Sequence, residues 1–101
     1  MYDLTVLVVD GDDLGRAALV GALRKLGLRA LGVVVPDEAV QLLDGLHADV
    51  TLVRGDGNEA AIEELAKKTP LVWVGASATV EDAVVELLRA MGRPEEAASL
   101  N

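Results

Sequence analysis

A chain of 101 residues with a 51 % hydrophobic content has room for one domain with one packed core and is too apolar for a disordered tail. Its net charge of -8, from 17 acidic and 9 basic residues, repels phosphate backbones and anionic lipid surfaces; it excludes an electrostatically driven nucleic-acid or membrane binder and favours a protein partner. With no cysteine, and only Tyr2 and Trp73 aromatic, disulfides, thiolate metal sites and stacking platforms for single strands are excluded too.

The start Met1-Tyr2-Asp3 lacks the basic stretch of a signal peptide, and no apolar run approaches the roughly 18 residues needed to cross a bilayer, so a cytoplasmic location is expected. Leu4 to Val9 is a nearly continuous apolar, β-branched run, the pattern of a strand buried on both faces of a parallel sheet. It stops at Asp10-Gly11-Asp12-Asp13. A helix follows, with Asp12 or Asp13 as N-cap and Leu19, Leu23 and Leu26 on one face, ending at Gly27. The unit then repeats. Leu31 to Val35 is the expected second strand, and Pro36-Asp37 opens a helix with an apolar stripe of Ala39, Leu42, Leu43 and Leu46.

Val50 to Val53 is the third strand, Arg54 to Gly57 its loop, and Asn58 to Lys68 a helix with Glu63 to Lys67 and Glu64 to Lys68 spaced for i,i+4 pairing. Leu71 to Val74 is the fourth strand. After the loop Gly75 to Ala78, Thr79 and Asp82 have capping-box spacing before Val80, Ala83, Val84, Leu87 and Met91, and Gly92 and Pro94 end that helix. Strands alternating with helices through short loops indicate an α/β fold, a doubly wound parallel sheet covered on both faces. The expected domain is residues 1–92, with a short tail at 93–101. In such sheets the functional crevice lies beyond the carboxyl ends of the strands, at Asp10 to Asp13, Pro36-Asp37, Arg54 to Asp56 and Gly75 to Ser77.

Val6 to Asp12, Ala48 to Val53 and Pro70 to Ala76 resemble the receiver domain of two-component response regulators, a flavodoxin-like signalling fold, over most of the chain. The resemblance implies an acidic strand end that holds Mg²⁺, a phosphoacceptor Asp closing the third strand, a Ser or Thr switch closing the fourth, and a Lys on a fifth strand. Each position departs from that pattern. Asp10 and Asp12 match the first and third acidic residues, but Gly11 replaces the second. Counting from Asp49 places Arg54 at the acceptor position, where a guanidinium has no free lone pair with which to attack phosphorus. Gly75 stands at the switch position, and Gly92 to Asn101 is too short for a fifth strand and a further helix.

The reading is therefore a pseudo-receiver, an atypical signal-transduction module acting by phosphorylation-independent protein binding, without enzyme activity, cofactor or metal. Arg54 is expected to pair with Asp10 or Asp12, supplying the charge a metal would otherwise bring. An acceptor at Asp56, with Ser77 as hydroxyl in a longer register, is one alternative, and a small-ligand sensor using the Asp10 to Asp13 crevice is another. The same acidic cluster also suits a plain loop and helix cap. His47, with no second His and no Cys, reads as a surface residue, and Gly11, Gly15 and Gly21 lack the spacing of a dinucleotide fingerprint. The fourth strand becomes a sheet edge, where Trp73 packs, and the last helix is expected beside the first. An edge of this kind suits a homodimer, which monomeric light scattering at high concentration would dismiss.

Overall fold

The computed structural model describes residues 4–55 and 59–92. Its elements follow in the order β1 (Thr5–Asp10), α1 (Asp13–Lys25), β2 (Arg29–Val33), α2 (Pro36–Leu42), β3 (Val50–Arg54), α3 (Glu59–Lys68), β4 (Leu71–Val74) and α4 (Val80–Ala90). The strands form one parallel sheet in the order β2-β1-β3-β4, the doubly wound arrangement expected from the alternating pattern. The expected tail at 93–101, and Asp56 to Asn58, lie outside the described residues.

Because successive strand residues point to opposite faces, the two central strands feed two cores. Val6, Val8, Val50 and Leu52 face α1 and α4, where Leu19, Leu23, Ala83, Val84, Leu87 and Leu88 close over them. Leu7, Val9 and Val53 face α2 and α3, against Ala39, Ile62 and Leu65. The last helix thus packs beside the first, with two helices on each face. Asp12 rather than Asp13 caps α1: its carboxylate accepts the Gly15 N–H at 3.0 Å. Gly27 follows the helix with φ +87, the left-handed geometry that glycine adopts without penalty. Thr79 and Asp82 form the expected capping box at α4.

Three expectations are corrected. The second strand spans Arg29–Val33 instead of Leu31 to Val35. β1 supplies pairing partners only from Thr5↔Arg29 to Val9↔Val33, so Val34 and Val35 run past the ladder despite their strand propensity. In α2 the helix ends at Leu42, and Leu42 is exposed while Val40 and Leu43 join Ala39 against the core. The Glu63 to Lys67 and Glu64 to Lys68 spacing is not used as expected. Lys67 reaches Glu64 at 3.3 Å, and Lys68 crosses to Asp44 at 2.7 Å, a tertiary contact that helical spacing does not encode.

Among the described residues β4 is a sheet edge. Trp73 lies there with 48 % of its surface exposed and its Nε1–H donated to the Gly55 carbonyl at 2.8 Å. His47 lies on the surface, beyond α2. No described helix is long and apolar enough to cross a membrane.

Asp49 ties β3 to β1 at the opposite end from the crevice. Its carboxylate accepts the Thr5 N–H at 2.8 Å and its own N–H donates to the Thr5 carbonyl at 2.9 Å. The Thr5 N–H, and then His47, hold the Asp49 carboxyl below its ordinary value against the opposing effect of desolvation. The stability this lends is present above the unfolded-state value of about 4 and is lost as pH falls through the lower folded-state value. Asp49→Asn is therefore expected to flatten the acid limb of the stability profile below about pH 4. Urea unfolding from pH 7 to 2 checks it, and an unchanged acid limb would count against this role for Asp49.

Candidate functional site

The alternation that builds the core also aims the site. On the face covered by α1 and α4, the row Val6, Val8 continues into Asp10, and the row Val50, Leu52 continues into Arg54. Asp10 and Arg54 are partners in the parallel register, so their side chains leave neighbouring strands on the same side. Both lie at the carboxyl end of the sheet, where the helices leave an opening.

The Asp10 and Arg54 side chains are 4 % and 12 % exposed, and the Arg54 Nε–H donates to Asp10 Oδ2 at 2.8 Å. The expected pairing is present, but the guanidinium does not grip one carboxylate with both arms. Asp10 Oδ1 is occupied by the Asp12 N–H at 2.9 Å. Arg54 Nη2 lies 3.4 Å from Asp12 Oδ2, and Nη1 donates to the Ala78 carbonyl at 2.8 Å. One planar cation thus joins the end of β1, the cap of α1 and the loop before α4. Arg16 reinforces the turn by donating to the Asp10 carbonyl at 2.9 Å and pairing with Asp13.

Two of these partners escape sequence reasoning. Ala78 acts through its carbonyl, which every residue possesses, so nothing in its identity marks it. Gly15 is visible in the sequence but looks like an unfavourable helix residue. Its reason is spatial. A Cβ there would overlap Arg54 Nη2 outright and come within 2.8 Å of Asp12 Oδ2, so the glycine makes the room that the guanidinium fills.

The other expected positions lie around the same opening or outside it. Asp10, Gly11, Asp12, Pro36, Asp37, Arg54, Gly55 and Ala76 line a crevice of about 460 Å³. Gly11 and Gly75 are exposed, and a Cβ would fit at both, with only the Val34 carbonyl 3.9 Å away at Gly11. Their lack of side chains is therefore not a packing requirement. Ser77 is exposed, and Asp56 lies outside the described residues.

The described residues do not fit the Mg²⁺ that the receiver resemblance implies. A hard divalent cation needs several free oxygen ligands, but Asp10 is engaged by Arg54 and the Asp12 N–H, and Gly11 adds no carboxylate. Among the described residues no group of three or more His, Cys, Asp or Glu is placed to hold a metal.

No family model and no curated protein sequence matches the chain. Solved structures do. The N-terminal domain of a response regulator/sensory box/GGDEF three-domain protein from Carboxydothermus hydrogenoformans superposes with a TM-score of 0.70 at 16 % identity, over 93 % of this chain and 98 % of that one. The signal receiver domain of a modulated diguanylate cyclase from Desulfovibrio desulfuricans G20 gives 0.67 at 22 %, over 98 % and 93 %. A response regulator receiver protein from Pseudomonas putida gives 0.66 at 20 %, over 100 % and 99 %. The chain has the flavodoxin-like receiver-domain fold.

Proposed function

Proceeding from that fold, we propose that this protein is a signalling module that acts by binding another protein, with no phosphorylation of its strand-end site. One observation carries the proposal: the Arg54 guanidinium lies between Asp10, Asp12 and the Ala78 carbonyl. In a phosphoacceptor site, metal and phosphoryl group arrive from outside and draw the loops around them. Here a side chain already supplies the positive charge and already holds the loop before α4. The site is therefore kept in one state by the hydrogen bonds and ion pairs of a side chain of its own, and binding competence does not await a chemical event. The role is non-enzymatic, and a cytoplasmic setting belongs to the same proposal.

The test is to incubate the protein with Mg²⁺ and a small phosphoryl donor, following intact mass and backbone amide shifts. The expected result is no added phosphoryl group and no Mg²⁺-dependent shift at Gly11, Asp12 or Gly55. A phosphoryl group mapped to Asp56 would overturn the proposal and make the chain an active receiver.

A further inference from the structure

The crevice beyond the strand ends combines apolar walls with an acidic rim. Val34 and Val35 each keep 42 % of their surface exposed beside Pro36, and Val9 and Val53 form the apolar lining below. Leu14, at the start of α1, is 84 % exposed at the same end of the sheet. Exposed β-branched side chains clustered on a concave surface are unusual for a surface that meets only water.

The charge around these walls is one-sided. Arg54 is the one cation lining the crevice among the described residues, and its donors are committed to Asp10, Ala78 and Asp12. The carboxylates of Asp12 and Asp37 remain on the rim, and both described bonds of Asp12 fall on Oδ2, leaving Oδ1 without a described partner. The whole chain adds a net charge of -8. This field repels phosphate and acidic segments and draws cations.

We propose that this crevice docks a segment of a partner protein that presents a lysine or arginine next to an aliphatic side chain. The aliphatic group lies against Val34, Val35 and Pro36, and the cationic head meets Asp12 and Asp37. The inference rests on the protein-binding reading above and adds to it the surface and the chemistry of the partner. Charge complementarity sets orientation and discrimination, while covering the valines supplies the hydrophobic part of the affinity.

The test is a titration of the ¹⁵N-labelled chain with acetyl-Leu-Arg-Leu-amide and, separately, acetyl-Leu-Glu-Leu-amide. The basic peptide is expected to give saturable shifts at Gly11, Val34, Val35 and Ala76, and the acidic one none. Asp12→Asn with Asp37→Asn is expected to weaken binding at least about fivefold at low salt, with less effect at high salt. Asparagine also caps a helix, so this double variant keeps α1 intact. Val35→Ser, at an exposed position, is expected to weaken binding without unfolding the chain. No saturable shift, equal shifts with the acidic peptide, or affinity unchanged in all the variants would each overturn the assignment. Failure here together with an unmodified mass in the phosphoryl-donor experiment removes the docking surface and leaves the phosphorylation-independent reading standing. A phosphoryl group at Asp56 removes that reading whatever the peptides do.

Discussion

Arg54→Met is expected to lower the unfolding free energy by about 3–5 kcal/mol, the cost typical of removing one partner from a buried ion pair. The magnitude follows from asymmetry. Asp10 has a side chain only 4 % exposed, and losing Arg54 leaves its charge without the cation that meets Oδ2, while the Ala78 carbonyl also loses its donor. The pair itself contributes far less than this loss, because burying two ions costs desolvation that their attraction only roughly offsets. Arg54→Met with Asp10→Asn is therefore expected to recover most of the stability, since an asparagine oxygen still accepts the Asp12 N–H without a buried charge. Urea unfolding of the two variants measures both quantities. A single-variant loss below about 1 kcal/mol, in the range of an exposed pair, would mean that Arg54 does not hold the site together.

Gly15→Ala is expected to cost about 2 kcal/mol in the native background, although glycine to alanine inside a helix ordinarily stabilises by up to about 1 kcal/mol. The reversal of sign comes from one place. The added methyl occupies the position of Arg54 Nη2, and the guanidinium has no equivalent arrangement because its other donors are fixed on Asp10 and Ala78. In an Arg54→Ala background the obstruction is gone, and Gly15→Ala is expected to stabilise by its ordinary helix-propensity gain. The coupling between the two positions is then about 2–3 kcal/mol, at the upper end for residues in contact. Equal effects of Gly15→Ala in both backgrounds would show that the glycine serves some purpose other than admitting the guanidinium.

Much of the architecture was legible because it rests on local patterns. Continuous apolar runs gave the first, third and fourth strands, Thr79 and Asp82 form the capping box their spacing promised, and Asp12 is the one of the two candidate caps that the first helix uses. The second strand shows the limit of that reading. Leu31 to Val35 has the propensity of a strand, but a strand also requires a neighbour, and the ladder with β1 ends at Val9↔Val33. Leu42 shows it again: its helical spacing suits the core, but α2 ends there and the side chain lies on the surface.

By itself the sequence determined the doubly wound α/β fold, the acidic end of the first strand and the arginine at the end of the third, because burial periodicity and residue identity are local properties. Tertiary structure alone decided how the Arg54 donors are shared among Asp10, Asp12 and the Ala78 carbonyl, and why a glycine stands at position 15. Those contacts link residues as many as 44 positions apart, and one of them uses a backbone oxygen. No side-chain identity specifies a carbonyl, and the space a guanidinium needs exists only once α1 has packed against the sheet.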